Sequence, residues 1–92
     1  MLKVVFTSQF KRDYKLAVKR GFNPKKLEEV VIMLRNEQPL PESSRDHGLV
    51  NSRNYVDMRE CHLAPDWLLI YKVDREILTL KLIRTGSHSD LF

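Results

Sequence analysis

The sequence lacks several features on which small proteins often depend. Among its 92 residues there is one cysteine, Cys61, which excludes an internal disulfide and a cysteine-rich metal site. No segment approaches the roughly 20 apolar residues that span a bilayer, and the opening six residues lack the long apolar stretch of an export signal. The length suffices for one hydrophobic core. We therefore expect a single domain over residues 1–92, with no membrane association, in the reducing cytoplasm.

Positive charge is concentrated in the first part of the chain. The formal net charge is +4, and residues 1–26 hold eight basic residues against one acidic residue, Asp13. The remaining residues are therefore net negative. A basic face of this kind suits a polyanion such as nucleic acid, or an acidic protein partner. A solvated helix face would carry the same residues, so charge alone leaves these interpretations open.

The hydrophobic pattern near the N-terminus predicts two consecutive helices. Thr7 or Ser8 can cap the first helix by accepting a hydrogen bond from a free backbone N–H, and this helix ends near Arg20. Asn23 can cap the second helix, which must stop before Pro39 because proline lacks the N–H that a helix requires. The two helices are therefore expected to form a hairpin.

Strands are predicted on both sides of the helical hairpin. Residues 1–6 form a short apolar strand, and after the hairpin the period changes to two over residues 55–60. The dipeptide Ala64-Pro65 separates this run from strands over residues 67–73 and 76–83. This order predicts an α+β fold in which the helices cover one face of a small antiparallel sheet. The other face is then free to surround a substrate or partner.

All three histidines lie in the second half of the chain, each near other polar residues. Histidine transfers protons near neutral pH, and arginine holds phosphate through parallel donors. Arg84 also continues the apolar row of its strand, a position from which an arginine is often aimed at a ligand. A single histidine is more typical of a surface or structural role. Only the three histidines together, with arginine and aspartate nearby, indicate a catalytic site. The pairs are Asp46 with His47, His62 with Asp66, and Arg84 with His88.

Other sites built from these residues fit less well. A metal could use the histidines and Asp66, but no His-x-His or His-x-x-x-His spacing is present, so we expect no metal and no cofactor. Cys61 alternates with His62 on a strand and would point to the opposite face. Trp67 is more typical of a core than of a base-stacking surface, whereas the terminal Phe92 needs either packing or base stacking to be ordered.

Five motifs, taken in order, resemble the YafQ branch of the RelE/ParE superfamily of type II toxin–antitoxin toxins. These toxins are small ribosome-dependent mRNA endonucleases, and the resemblance covers nearly the whole chain. It implies a RelE-like fold, with the N-terminal strand and helical hairpin packed on one face of a small twisted antiparallel sheet. The motifs are Asp46-His47-Gly48-Leu49, Arg59-Glu60-Cys61-His62, Pro65-Asp66-Trp67-Leu68-Leu69-Ile70-Tyr71, Arg84-Thr85-Gly86-Ser87-His88 and Leu91-Phe92.

The resemblance also implies a set of site residues. RNA carries its own nucleophile, so a base need only take the 2′-OH proton, an acid protonate the leaving 5′ oxygen, and a cation stabilise the phosphate, without metal. His88, or Asp66 acting through it, would work near the 2′-OH and Arg84 at the phosphate. His47 and His62 would serve proton transfer or leaving-group support. The expected substrate-binding residues are Phe92, Trp67, Lys11, Arg12, Lys15 and Lys19.

Partners and rival functions follow from the same resemblance. It implies a cognate antitoxin, the ribosome and mRNA as partners. Related ParE-like proteins instead inhibit DNA gyrase and lack this histidine set, and a basic RNA-binding module without chemistry is a third alternative. The segment 50–56 lacks the glycine and tryptophan usual in related toxins, and Gly48 stands where proline is common. These departures concern the substrate-facing loop and its base preference.

Overall fold

The computed structural model describes residues 1–49 and 55–92, so most of the segment 50–56 lies outside the described residues. The chain begins with strand β1 (Lys3–Phe6), helix α1 (Ser8–Lys19) and helix α2 (Pro24–Arg35). A 3₁₀ turn at Glu42–Ser44 precedes the remaining elements, which are β2 (His47–Gly48), β3 (Arg59–Ala64), β4 (Trp67–Asp74), β5 (Thr79–Gly86) and the short helix α3 (His88–Leu91).

The helical hairpin forms as the capping residues predict. The Thr7 hydroxyl accepts the N–H of Phe10 at 2.9 Å, and the Asn23 side chain accepts the N–H of Lys25 at 3.0 Å. Gly21 lies between the helices at φ 92, a conformation that favours glycine. Within residues 1–49 and 55–92, no helix combines the length and the apolar character that crossing a membrane would require.

The five strands form one mixed sheet in the order β1-β5-β4-β3-β2. The α+β class is confirmed, but the sheet is not purely antiparallel, because β1 runs parallel to β5. The other neighbouring strands are antiparallel. Nearly the whole chain separates β1 from β5, which leaves ample length for the crossover that parallel pairing needs.

The two faces of the sheet carry hydrophobic clusters of different size. Helices α1 and α2 cover one face, and the larger cluster there combines residues such as Phe10, Leu34 and Leu69. On the other face, a smaller cluster includes Leu68 and Leu91. Helix α3 therefore covers part of the second face, where the sequence led us to expect open surface.

The strand predicted over residues 55–60 begins only at Arg59. The N–H of Met58 donates to the carbonyl of Tyr55 at 3.3 Å, and Asp57 has φ 59. These contacts form a turn, so the alternating pattern before Arg59 does not reflect a strand.

The strand predicted over residues 76–83 also starts late, at Thr79. The Asp74 carboxylate accepts the N–H groups of Glu76 and Ile77 at 3.1 and 3.4 Å, which closes a turn. Leu78 has φ 50 and is 61% exposed, so it does not join the apolar row of β5. A side chain that accepts local N–H groups competes here with strand pairing.

Candidate active site

The register of the sheet aligns several of the predicted site residues in one row. His47 of β2 is paired with Glu60 of β3, and Glu60 with Ile70 of β4. Ile70 is in turn paired with Arg84 of β5. His62 follows Glu60 by two residues and shares its face, since side chains alternate along a strand. The row therefore brings His47, Glu60 and His62 together on the face opposite the helical hairpin, whereas Arg84 follows a register shift and its side chain reaches α1.

Glu60 is a buried carboxylate between two of the histidines. Its Oε1 atom lies 3.8 Å from Nε2 of His47 and 3.6 Å from Nε2 of His62, and its side chain is 6% exposed. Nδ1 of His47 lies 2.7 Å from the backbone carbonyl of Arg45, which can only accept, so Nδ1 carries the proton. Protonation of either ring at Nε2 forms an ion pair with Glu60. Sequence reasoning missed Glu60, although it lies two residues before His62 and the two side chains of a strand at that spacing share a face.

Asp46 holds the short strand that carries His47. The hydroxyl of Tyr71 donates to the Asp46 carboxylate, and Nε of Arg59 donates to the same oxygen at 3.3 Å. Burial, followed by this contact, raises the pKa of Tyr71 above its ordinary value. Asp46 thus anchors β2, the strand that carries His47, to β3 and β4.

Asp66 and His88 form the second polar cluster. The Oδ1 atom of Asp66 accepts the backbone N–H of His88 at 3.2 Å and lies 3.2 Å from its Nδ1 atom. Hydrogen bonds from the backbone and then the ring of His88 hold the pKa of Asp66 below its ordinary value. The His88 ring centroid lies 5.7 Å from that of His62 and 6.4 Å from that of Phe92. Because Nδ1 faces the carboxylate, Nε2 is the ring nitrogen available for proton transfer.

Arg84 is held by Asp13, a carboxylate on α1 that sequence reasoning missed. The Nε and Nη2 atoms of Arg84 donate to the two oxygens of Asp13 at 3.0 and 2.9 Å. This hydrogen bonding raises the pKa of Arg84, and a smaller contribution comes from the Tyr55 hydroxyl. Burial acts to raise the pKa of Asp13, but the hydrogen bonds of Arg84 and Gln9 outweigh it and the pKa is lowered. One feature of the sequence could have pointed to Asp13, which is the only acidic residue in residues 1–26.

Phe92 is ordered and more than half exposed. Its ring meets that of Tyr55 edge-on, with centroids 5.6 Å apart, and its side chain is 60% exposed. The Tyr55 hydroxyl donates to the carbonyl of Leu91 at 3.0 Å. A capping box between Ser87 and Asp90 fixes the start of α3. The terminal aromatic is therefore presented at the surface beside His88.

Trp67, which we predicted to contact substrate, is buried on the helix side of the sheet. Trp67 is 2% exposed and stacks on Phe22 with ring centroids 4.9 Å apart, inside the larger cluster under the helices. Alternation along β4 directs Trp67 to the helix side, whereas its neighbour Leu68 faces the side of His62. Trp67 thus supports the sheet from behind the candidate site.

The basic residues predicted to bind substrate are all exposed, but they divide between two surfaces. Lys11 and Lys15 border an apolar groove of about 1000 Å³ along α1, α2 and β1. Arg12 borders a smaller cavity of about 270 Å³ that also meets Arg84. Neither cavity is lined by Lys19. Of the four, Arg12 is the residue that the fold brings beside a candidate catalytic group.

Cys61 is excluded as a nucleophile, as the sequence predicts. It is fully buried on the helix side of β3, and burial raises the pKa of its thiol to about 12. A thiol in this environment stays protonated and unreactive near neutral pH.

We expected no metal, but the fold brings three possible metal ligands together. In the described part of the chain, one ligand atom from each of Glu60, His62 and His88 lies within 4.8 Å of the others. The spacing of the histidines and Asp66 in the sequence did not indicate this group, because the fold adds Glu60 to it. Carboxylate oxygen and imidazole nitrogen are ligands that zinc accepts, so these residues fit a metal ion as well as proton transfer.

Comparison with known proteins decides the family. Residues 2–92 match the family described as bacterial toxin of type II toxin-antitoxin system, YafQ. The chain belongs to the YafQ family. A curated relative from Escherichia coli strain B / BL21-DE3, named mRNA interferase toxin YafQ, is 38% identical over 90 residues, covering 97% of this chain and 94% of the relative.

Solved structures agree with this membership. The metal-bound toxin from Helicobacter pylori has a TM-score of 0.93 and 46% sequence identity, with 100% of each chain covered. In the E. coli DinJ-YafQ toxin-antitoxin complex, the matching chain has a TM-score of 0.86 and 37% identity, over 99% of this chain and 97% of that one. The resemblance drawn from the motifs is confirmed, and the names of the relatives bear out the expectation of an endoribonuclease.

Proposed function

We propose that this chain is the toxin of a type II toxin–antitoxin system and cleaves mRNA during translation in the cytoplasm. The observation that supports this best is the meeting of two proton-transfer groups on one face of the sheet. His62 with Glu60 and His88 with Asp66 lie with their rings 5.7 Å apart. Two imidazoles at this separation can reach opposite sides of one phosphodiester.

In the proposed reaction, His88 is the general base. Asp66 receives Nδ1–H and orients the ring, so Nε2 takes the proton of the ribose 2′-OH. The freed 2′ oxygen forms a bond to phosphorus while the bond from phosphorus to the 5′ oxygen breaks. RNA supplies the nucleophile itself, so this step needs no covalent bond to the protein and no metal.

His62 is the proposed general acid. Its ring is largely buried beside the carboxylate of Glu60, which forms an ion pair with the imidazolium. The imidazolium gives its proton to the leaving 5′ oxygen. His47 lies on the other side of Glu60 and contacts the same carboxylate, from where it supports departure of the leaving group.

Arg84 is the proposed phosphate-stabilising cation. A guanidinium has five N–H donors; Asp13 receives two and the Tyr55 hydroxyl also bonds to this side chain, so donors still remain for the crowded phosphate. Phe92 offers an exposed ring next to His88 on which an RNA base can stack. Arg12 extends the positive surface beside Arg84 toward the RNA backbone.

The proposed partners follow from charge and from the family. A complex of toxin and antitoxin is the assembly described for the E. coli relative. We propose that the exposed basic residues of α1 meet ribosomal RNA when the toxin is active, and an acidic antitoxin when it is neutralised. These residues are Lys11, Lys15 and Lys19.

Induction of the chain in bacteria, with mapping of mRNA 5′ ends, tests the function. We expect growth arrest and new 5′ ends within translated messages, both lost with His88→Ala. Glu37→Gln is the matched control, because Glu37 forms an exposed ion pair with Arg75 at the far end of β4. Arrest without new 5′ ends would instead indicate a gyrase-type inhibitor, and salt-sensitive RNA binding without cleavage would indicate a binding module.

A further inference from the structure

The carboxylate of Asp13 has more partners than a surface acid normally has. Its Oδ1 atom accepts from Nη2 of Arg84 and from Nε2 of Gln9, both at 2.9 Å. Its Oδ2 atom accepts from Nε of Arg84 at 3.0 Å and from the backbone N–H of Thr85 at 3.2 Å. Asp13 is only 9% exposed. A carboxylate has about four acceptor positions, so this arrangement uses all of them.

Helix α1 supplies these contacts because strand β1 ends before the strand β5 that it pairs with. Strand β1 pairs with β5 only as far as the pair Phe6 and Leu82. Beyond that point the Thr7 hydroxyl donates to the carbonyl of Ile83 at 2.8 Å, and Asp13 receives the N–H of Thr85. Helix α1 thus replaces β1 as the partner of the end of β5. This is the part of the strand that carries Arg84.

We propose that Asp13 is a positioning residue for RNA cleavage, which it serves by fixing the guanidinium of Arg84. Two parallel hydrogen bonds set the plane and the rotation of a guanidinium, which a single bond would leave free. The donors that neither Asp13 nor Tyr55 uses are then presented in one orientation to the phosphate. This inference rests on the proposed function, because it concerns the same arginine.

Asp13 has a second, opposite effect on RNA. Its negative charge offsets part of the charge of Arg84 and so weakens the attraction between Arg84 and a bound phosphate. Fixing the guanidinium raises the rate of the chemical step, since misplacement by about 1 Å can cost about 10²-fold. Removing the charge at Asp13 should therefore lower kcat without raising KM. A residue with a purely structural role would not separate the two constants in this way.

The variant Asp13→Asn tests the inference, since the amide keeps the shape but turns one acceptor into a donor that faces a donor of Arg84 in either orientation. Cleavage of a defined mRNA is measured in a reconstituted translation reaction, using folded protein verified by circular dichroism. We expect kcat to fall about 10- to 100-fold, with KM equal to or below that of the wild type. Glu37→Gln, which removes the charge of another arginine partner, should retain wild-type constants. An unchanged kcat overturns the inference, and so does a rise in kcat/KM, which would make Asp13 a competitor of the phosphate.

A double-mutant cycle identifies the residue through which Asp13 acts. The variant Arg84→Lys keeps the charge but cannot form the two parallel bonds. Adding Asp13→Asn to Arg84→Lys should therefore lower kcat less than twofold further. Full additivity of the two losses would overturn the inference. If the wild-type chain itself does not cleave, the proposed function fails; if the wild type cleaves and Asp13→Asn matches it, only the role of Asp13 fails.

Discussion

Asp66 and His88 meet at a single oxygen atom. Oδ1 of Asp66 accepts the backbone N–H of His88 and also lies 3.2 Å from its Nδ1 atom. One carboxylate thus fixes both the first residue of α3 and the orientation of its imidazole. The pair spans 22 positions in the sequence and joins the turn between β3 and β4 to the C-terminal end of the chain.

Asp66→Asn should lower kcat about 10- to 100-fold. An amide nitrogen facing Nδ1 would favour the wrong tautomer, so that Nε2 carries the proton and cannot act as a base. We expect a smaller loss than for a buried pair because Asp66 and His88 are exposed. Single-turnover cleavage by the purified variant measures the effect. Cleavage at the wild-type rate would contradict the role of Asp66 as the orienting group.

Glu60→Gln should lower kcat about 10- to 100-fold. Without the carboxylate, the imidazolium forms of His62 and His47 lose their ion-pair partner, so the proposed acid is no longer held in place. Single-turnover cleavage by the folded variant measures the loss, with Glu37→Gln as the control. A wild-type kcat for Glu60→Gln would show that Glu60 does not support the acid.

The fold was largely predictable because its signals are local. Caps at Thr7 and Asn23 and the apolar periods that follow them depend on neighbours within one or two turns. The errors arose where side chains redirect the backbone. Asp74 closes a turn in place of the predicted strand, and the capping box of Ser87 and Asp90 builds a helix that we did not predict.

The sequence predicted the residue types of the candidate site but not the residues that orient them. The motifs pointed to His62, His88 and Arg84 through their resemblance to a family. The partners that orient these groups come from distant parts of the chain, and Asp13 lies 71 positions from Arg84. Such pairs leave no periodic signal in a single sequence. For a related reason, the motif does not state which face of β4 Trp67 occupies.

Phe92→Ala should weaken cleavage with little effect on folding. The ring is 60% exposed, so its loss removes little buried area. Stacking of one base on an aromatic ring contributes about 1–3 kcal/mol, which predicts a decrease in kcat/KM of roughly 5- to 150-fold. Ile77→Ala is the matched control, since Ile77 is 61% exposed in the turn before β5. Equal constants for the two variants would show that Phe92 makes no contact with RNA.

Chelation should leave cleavage unchanged, and added zinc should inhibit it. The proposed reaction uses imidazoles and needs no metal, so EDTA should not lower kcat. Zinc binds the lone pairs of neutral imidazoles, and bound to His62, His88 and Glu60 it would remove both proton-transfer groups. Titration calorimetry should show zinc binding to the wild type and its loss in His62→Ala. Loss of activity in EDTA would contradict the metal-independent reaction.

Acid should release α3 before the rest of the fold. Hydrogen bonding to the backbone of Ser87 and then to Arg20 lowers the pKa of Asp90 from 3.8 to about 2. A depressed folded-state pKa contributes stability that is fully present above the unfolded value and is lost as pH falls through the folded value. The stabilisation from Asp90 therefore persists at neutral pH and disappears between about pH 4 and 2. The ring resonances of His88 and Phe92, followed by NMR, report the release. Asp90→Asn should show a smaller acid step, because Asp66 still holds His88, and should be less stable at pH 7; a variant with wild-type acid behaviour would show that Asp90 does not hold α3.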